Sequence, residues 1–343
     1  SRSERLIPFY TVIFRSGGLN SPPDRRTAPA LLRSGCLCAP AYRTRRQPDN
    51  STKPIWRYTL MQKNIRRYWP IFLLPTLAAF LIGFVIPFIQ GLYLSLCKFT
   101  TINKTTFVGL SNYVKAFQDE QFAHAFGFTA SFTVVSTVLI NVIALGIALL
   151  LTRGIKGTTP FRTVFFMPNL IGGIVLGYIW QILLNCILSL MGKPLLTLDS
   201  TSGYWGLIIL MCWQQIGYMM IIYIAGLQSI PNDYIEAAYI DGATPWQAFW
   251  RVKLPNLMPS ITICLFLTLT NSFKLFDQNL ALTAGEPAHS TEMLAMNIYQ
   301  TFYARSGPMW KGIGQAKAVL FCILVIAISS LQLKFTRSKE VQQ

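Results

Sequence analysis

Long apolar stretches recur along this chain, separated by shorter polar segments. Five uncharged runs cover residues 71–94, 126–151, 163–191, 204–230 and 254–273. A sixth apolar run, 313–333, is interrupted only by Lys317. Each run approaches or exceeds the roughly 20 residues that a helix needs to cross about 30 Å of hydrocarbon. The pattern predicts an all-α integral membrane protein with six membrane-spanning helices, the fifth extending to about residue 277. We expect Lys317 to lie near one end of its span and to reach the membrane interface.

Composition and charge support this prediction and add an orientation. Apolar residues make up 52% of the chain and charged residues only 13%, which is unusual for a soluble domain. From residue 61 onward, eleven Lys and Arg residues flank one side of the predicted spans and six flank the other. Because positively charged flanks tend to stay in the cytoplasm, we expect both termini and segment 231–255 on the cytoplasmic side of a bacterial plasma membrane.

The first 60 residues differ from the rest of the chain. They carry eleven Lys and Arg residues against three acids and contain no Met, whereas Met61 precedes a short basic segment and the first span. We expect residues 1–60 to be a disordered upstream extension, with Met61 as the native start and residues 61–343 as the transmembrane domain. The alternative is a basic arm that binds nucleic acid or anionic lipid.

Few residues have the spacing of a catalytic or metal site. The seven cysteines are scattered, only two histidines are present, and no GxxxxGK[ST] loop occurs. We therefore predict no catalytic residues, no metal site and no ATP hydrolysis by this chain alone.

Segment 231–255 predicts two short helices joined at a glycine. Pro231 suits a first helical turn, and Ile235, Ala238 and Tyr239 fall on one helical face. Gly242 suits the left-handed conformation that commonly ends helices. Thr244-Pro245-Trp246-Gln247 then has the pattern of a capping box, and Leu254-Pro255 is expected to end the second helix. On this basis alone, the segment could be a simple connection between spans or a surface that a partner grips.

The same segment resembles a known motif. Glu236-Ala237-Ala238, then Gly242, then nine residues and Val252-Lys253-Leu254-Pro255 is similar to the EAA loop of binding-protein-dependent ABC importer permeases. Further segments resemble the carbohydrate branch, in particular the first permease of multiple-sugar and glycerol-3-phosphate systems. These segments are residues 107–113, Trp213 with Gly217-Tyr218, residues 225–231, 272–277 and 291–294.

The resemblance implies a type I importer fold and a set of partners. These are a second permease, two cytoplasmic ATPase subunits that hold ATP and Mg, and an extracytoplasmic sugar-binding protein. Membrane lipid is expected around the chain, which itself binds no cofactor and no nucleic acid. Residues 291–302 are a candidate surface for the binding protein. The implied ATPase-coupling residues are Tyr234, Glu236, Ala237, Ala238, Asp241, Gly242, Leu254 and Pro255.

Polar and aromatic groups within spans suggest a solute pathway, because polar groups in a membrane tend to face a cavity. The candidates are Asn169, Tyr178, Gln181, Asn185, Gln214, Tyr218, Asn271, Lys274 and Asp277, with Gln215, Trp180 and Phe273 beside them. Each could instead bond to a neighbouring helix, and Lys274 and Asp277 could neutralise one another. Pro168 and Gly172-Gly173 could break the third span, as in many transport cavities.

The sequence is also compatible with two other function classes. A six-span secondary transporter would use carboxylates within the membrane, and Asp277 is the candidate nearest a span. A membrane protein whose basic arm binds nucleic acid or lipid would explain residues 1–60. Neither alternative explains the helix–glycine–helix segment.

Overall fold

The computed structural model describes residues 69–71, 73–101, 103–154 and 157–338. The predicted extension, residues 1–60, and the expected start at Met61 lie outside these ranges. The described residues form α1 Trp69–Ser95, β1 Cys97–Thr101, β2 Lys104–Phe107, α2 Ser111–Gln118, α3 Glu120–Leu151, α4 Thr158–Phe166, α5 Gly173–Leu190, α6 Ser200–Ser229, α7 Asn232–Ile240, α8 Pro245–Asn256, α9 Met258–Phe273, α10 Asp277–Leu282, α11 Leu294–Tyr303 and α12 Pro308–Arg337. Strands β1 and β2 pair as a short antiparallel hairpin.

The predicted membrane helices are present. Helices α1, α3, α5, α6 and α12 are each long and apolar enough to cross a membrane, and the bent pair α8–α9 adds a sixth candidate. Several helices extend beyond the uncharged runs. Helix α3 begins at Glu120, where the side chain of Asp119 caps it by accepting a hydrogen bond from the Gln121 N–H. Polar capping residues thus lengthen the spans beyond the apolar runs.

The third predicted span, 163–191, is broken, as the proline and glycines suggested. Helix α4 ends at Phe166, a 3₁₀ turn covers Met167–Leu170, and α5 begins only at Gly173. Pro168 has no N–H to donate within the turn, and Gly172 takes an extended conformation with ψ of 140°. The prediction of one continuous helix is therefore wrong, and the prediction of a break is confirmed.

The fifth predicted span also needs correction. Leu254-Pro255 does not end a helix, because α8 continues through both residues to Asn256. A π-helical turn at Phe249–Lys253 precedes Pro255, which cannot donate a backbone hydrogen bond. Helix α9 then starts at Met258, bent by 67° from α8, and ends at Phe273 rather than near residue 277.

Helices α3 and α6 form the centre of the bundle. Helix α6 is the most buried of the candidate spans, whereas α1 has an exposed apolar surface along its length. Between α3, α6 and α9, Tyr223 donates to Asn141 Oδ1 at 2.6 Å, and Asn141 Nδ2 donates to Thr268 Oγ1 at 3.0 Å. Polar contacts therefore join these three helices inside the core.

Lys317 lies near one end of the bundle, but the expectation that its side chain reaches outward to the membrane interface is wrong. Its side chain is fully buried, and its ammonium forms an ion pair with Asp119 at 2.7 Å. A buried ammonium needs a counter-charge and hydrogen-bond acceptors, and these are supplied by residues far away in the sequence. Lys317 therefore lies inside the bundle.

The two ends of α3 establish how the chain crosses the bundle. At about 1.5 Å per residue, its 32 residues span about 48 Å, with Asp119 just before its first residue and Arg153 just after its last. Lys253 lines the same cavity as Arg153, whereas Arg305 forms an ion pair with Asp119 at 3.1 Å. The chain thus passes from one end of the bundle to the other between Lys253 and Arg305, so the bent pair α8–α9 leads into a full crossing.

Candidate functional site

Helix α7 lies at the end of the bundle near Arg153 and ends as the glycine predicted. Pro231 precedes the helix instead of lying in its first turn, with ψ of 135°. At the other end, Gly242 has φ of 81°. The Gly242 N–H donates to Tyr239 O at 3.1 Å, and the Ala243 N–H donates to Ala238 O at 2.9 Å. This pair of hydrogen bonds is a Schellman motif, which satisfies carbonyls that the helix end would leave free.

The predicted capping box at the start of α8 is confirmed. The Gln247 N–H donates to Thr244 Oγ1 at 3.3 Å, and the Thr244 N–H donates to Gln247 Oε1 at 2.9 Å. The aromatic rings that follow pack on one another, with Trp246 lying 6.2 Å from Phe249 and 5.5 Å from Trp250. The loop from α7 to α8 is therefore a structured helical hairpin, which we call the α7–α8 hairpin.

The hairpin presents most of the predicted coupling residues to solvent. Tyr234, Glu236, Ala237, Asp241 and Gly242 are exposed, and Leu254 and Pro255 are half-buried. Within the part of the chain that the structure describes, the carboxylates of Glu236 and Asp241 form no ion pair. Two acids on a rigid, open surface can therefore pair with cations of another chain.

The predicted face of α7 borders two cavities. Ile235 and Tyr239 line a cavity of about 890 Å³ between the hairpin and the ends of α3 and α6. Ala238 instead lines a cavity of about 400 Å³ with Asp241, Arg251 and Val252. As their spacing predicts, Ile235, Ala238 and Tyr239 lie within an arc of about 100° around α7, because a helix turns about 100° per residue. Ala238, at one edge of that arc, lines the second cavity.

Three candidates for the solute pathway bond to neighbouring elements. Gln181 Nε2 donates to Leu282 O at 3.0 Å, and Asn185 Oδ1 accepts from the Leu196 N–H at 3.0 Å. Gln214 Oε1 accepts from Gln278 Nε2 at 2.7 Å. These amides hold α5, α6 and α10 together, which is the alternative that the sequence left open.

Three other candidates come together beside the end of α9. Asn271, Lys274 and Asp277 line a cavity of about 280 Å³, together with Met211, Gln215, Leu275, Phe276 and Gln278. Lys274 and Asp277 are exposed and, within the described ranges, form no ion pair with each other. Gln215 Oε1 is buried without a hydrogen-bond partner. This cavity offers a cation, a carboxylate and amides to a polar solute.

The remaining candidates lie outside the 280 Å³ cavity. Tyr178 is exposed on α5, Asn169 is half-buried in the 3₁₀ turn, and the Tyr218 ring lies 6.4 Å from that of Phe166. Trp180 packs on Trp213, and Phe273 is buried. Sequence reasoning missed Gln278, although its polarity so close to the end of a span was a usable signal.

Among the described residues, no three His, Cys, Asp or Glu side chains come together as a possible metal site. The prominent features are thus the exposed α7–α8 hairpin at one end of the bundle and the polar cavity beside α9.

Residues 140–339, which include both, match the model of the binding-protein-dependent transport system inner membrane component family. The chain belongs to this family. Its members are membrane components of transport systems, so this inner membrane component is a transport subunit and not an enzyme.

Curated relatives share the family and most of the length. The inner membrane component is 44% identical over 289 residues to the probable starch degradation products transport system permease protein AmyD of Thermoanaerobacterium thermosulfurigenes, covering 82% of this chain and 97% of that protein. It is 34% identical over 291 residues to the multiple sugar-binding transport system permease protein MsmF of Streptococcus mutans, covering 82% and 99%. The family is not one of secondary transporters, so that alternative is excluded.

A solved structure shares the fold. A chain of a bacterial ABC transporter involved in the import of the acidic polysaccharide alginate superposes with a TM-score of 0.69 at 23% identity, covering 81% of this chain and 98% of that one. The inner membrane component therefore has the type I ABC importer permease fold that the resemblance implied.

Proposed function

We propose that this chain is the transmembrane permease subunit of an ATP-driven sugar importer, forms half of the translocation pore and couples it to a separate ATPase. The observation that carries the proposal is the α7–α8 hairpin. It is held rigid by a Schellman motif and a capping box, yet Glu236 and Asp241 are exposed. A rigid surface at the end of a helical bundle can transmit a displacement to the helices that follow it.

The complete transporter would contain further subunits that supply the functions this chain does not provide. Two cytoplasmic ATPase subunits would bind ATP and Mg and grip the hairpin through Tyr234, Glu236, Ala237, Ala238, Asp241 and Gly242, with Leu254 and Pro255 at its base. A second permease would complete the pore, and the exposed apolar surface of α1 is available to it or to lipid. An extracytoplasmic binding protein would deliver the solute.

The proposed substrate class is sugar. It is supported by the substrates after which the relatives are named, which are starch degradation products and multiple sugars. In this chain, the 280 Å³ cavity supplies groups that bind hydroxyls, including Asn271, Lys274, Asp277 and the unpartnered Gln215 Oε1. We propose these residues as solute contacts.

The proposed orientation has the α7–α8 hairpin and both termini in the cytoplasm. Arg153, Arg251 and Lys253 lie at the hairpin end of the bundle, and Lys334 and Arg337 form the last turn of α12. This concentration of cations fits the cytoplasmic side of a bacterial plasma membrane.

Substitution of Gly242 tests the coupling. Gly242 and Gly192 both have positive φ, 81° and 67°, and an added Cβ would meet nothing within 4 Å at either position. Valine costs roughly 1–2 kcal/mol in this conformation, about a tenfold change in an equilibrium. We expect Gly242→Val to lower the amount of ATPase that co-purifies with the permease by about tenfold. Gly192→Val, away from the hairpin, should retain the ATPase.

Membrane levels of both variants should be measured by immunoblot, so that loss of the permease is not read as loss of coupling. If the two variants retain the ATPase equally well, the proposed role of the hairpin is wrong.

A further inference from the structure

The ammonium of Lys317 is surrounded by acceptors at the end of the bundle opposite the α7–α8 hairpin. It is fully buried and donates to Asp119 Oδ2 at 2.7 Å, Asn297 Oδ1 at 2.8 Å and Thr301 Oγ1 at 2.9 Å. An ammonium has three N–H bonds, and these three acceptors use all of them. The site is therefore complete and has no place for a further ligand.

These contacts join three helices. Lys317 belongs to the long helix α12, Asp119 caps the long helix α3, and Asn297 and Thr301 lie one turn apart on the short helix α11. A further buried bond, from the Leu294 N–H to Thr129 Oγ1 at 2.8 Å, attaches the start of α11 to α3. The inner face of α11 is thus fixed at both ends.

Arg305 adds a second cation to Asp119. Its guanidinium lies 3.1 Å from Asp119 Oδ2, contacts Gln121 Oε1 and stacks over Trp310 at 4.4 Å. Burial alone would raise the pKa of Asp119, but its hydrogen bond to Lys317 and the charges of Lys317 and Arg305 hold that pKa below its ordinary value. The carboxylate is therefore ionised at neutral pH and can hold both cations.

The outer face of α11 is aromatic and open. Tyr299 and Tyr303 are 43% and 70% exposed, with ring centroids 4.9 Å apart. Tyr299 also lies 5.2 Å from Phe276, which lines the 280 Å³ cavity. Exposed tyrosines are favourable contacts for protein partners, because they bury a large area at low entropic cost.

A buried ion pair contributes little net stability compared with apolar packing, so stability alone does not account for this arrangement. We propose that Lys317 is a positioning residue that fixes α11 to α3 and α12, so that a protein docked on Tyr299 and Tyr303 moves both long helices together. The docked protein would be the extracytoplasmic binding protein, and this part of the inference rests on the proposed function.

The first test measures the attachment itself. Lys317→Met keeps the length of the side chain and removes its three hydrogen bonds, while Asp119 retains Arg305. In the purified complex, we expect amide hydrogen exchange in residues 294–303 to become at least about fivefold faster. Thr301→Val removes one acceptor and should give a smaller increase, and Lys104→Met, at an exposed lysine, should give none. Unchanged exchange in Lys317→Met would overturn the proposal.

The second test measures the consequence for transport. With the ATPases and binding protein present in lipid nanodiscs, Lys317→Met should lower the stimulation of ATP hydrolysis by the binding protein about fivefold or more. Basal hydrolysis should stay near that of Lys104→Met. Faster exchange in α11 with full stimulation would also overturn the proposal. If no binding protein stimulates the unaltered complex, the proposed function fails, whereas the exchange measurement still decides whether Lys317 fixes α11.

Discussion

At the scale of residues, Tyr223 and Asn141 form a buried polar contact between the central helices. The Tyr223 hydroxyl lies on α6, its acceptor Asn141 lies on α3, and Asn141 donates in turn to Thr268 on α9. Tyr223 is about 1% exposed, so no water can replace a lost partner without entering the core. The contact therefore fixes the relative positions of three spans.

Tyr223→Phe should measure the strength of this contact. The change keeps the ring but leaves Asn141 Oδ1 unpaired, and we expect the free energy of unfolding in detergent to fall by about 1–2 kcal/mol. Tyr178→Phe, on the exposed surface of α5, should change it by less than about 0.5 kcal/mol. Equal effects of the two substitutions would show that the Tyr223 hydroxyl contributes no specific stability.

Lys317 shows what a sequence can and cannot indicate about a single residue. A lysine inside an apolar run predicts that its ammonium either extends to the membrane interface or pairs with an anion inside the protein. Both arrangements lower the cost of placing a charge in the membrane. The choice depends on Asp119, which is 198 positions away, and on Asn297 and Thr301 of a helix outside the spans. The pattern of residues around Lys317 does not indicate those long-range contacts.

At the scale of elements, the contact between α4 and α6 depends on one glycine. A Cβ on Gly217 would lie 1.7 Å from Phe165 O and 2.3 Å from the carbonyl carbon. The end of α4 therefore rests directly on the backbone of α6, next to the packing of Phe166 on Tyr218. Close helix contacts of this kind are common where small residues face a neighbour in a membrane.

Gly217→Ala should separate the two helices. We expect a loss of about 1–3 kcal/mol in stability, since backbone cannot yield as a flexible side chain can. Gly127→Ala is the matched control, because Gly127 lies within α3 and its added Cβ would meet nothing within 4 Å. That change should be neutral or stabilise by up to about 1 kcal/mol. Thermal unfolding of both variants decides the question, and a stable Gly217→Ala would contradict the close packing.

Helix ends were more predictable than helix continuity. The glycine end of α7 and the capping box of α8 depend on side chains within a few residues, so the sequence identifies them. The 67° bend between α8 and α9 depends on how a π turn and Pro255 fit against the bundle, and no local pattern fixes that outcome. Likewise, the sequence does not determine whether amides such as Gln181 and Gln214 face a cavity or bond to a neighbouring helix.

At the scale of the whole molecule, the chain alternates between the two ends of the bundle. Residues around Arg153 and Lys253 line one cavity at the hairpin end, whereas Asp119, Arg305 and Lys317 meet toward the other. The β1–β2 hairpin belongs to the Asp119 end, because Asn112 of α2 donates to Cys97 O at 2.9 Å. Lys104 and Asp241 should therefore lie on opposite sides of the membrane.

Accessibility of introduced thiols tests this arrangement and the proposed orientation together. Lys104→Cys and Asp241→Cys both place a cysteine at an exposed position, and the unaltered chain provides the background labelling of its own cysteines. A membrane-impermeant maleimide added to intact spheroplasts should label Lys104→Cys but not Asp241→Cys, and inside-out vesicles should give the reverse. The excess of cations at the hairpin end predicts that this end is cytoplasmic, because positively charged flanks of membrane spans tend to remain in the cytoplasm. Labelling of both sites from the same side would contradict the odd number of crossings, by α3, α5 and α6, that places Lys104 and Asp241 at opposite ends of the bundle. A complete reversal would leave the crossings intact and move the α7–α8 hairpin away from any cytoplasmic ATPase.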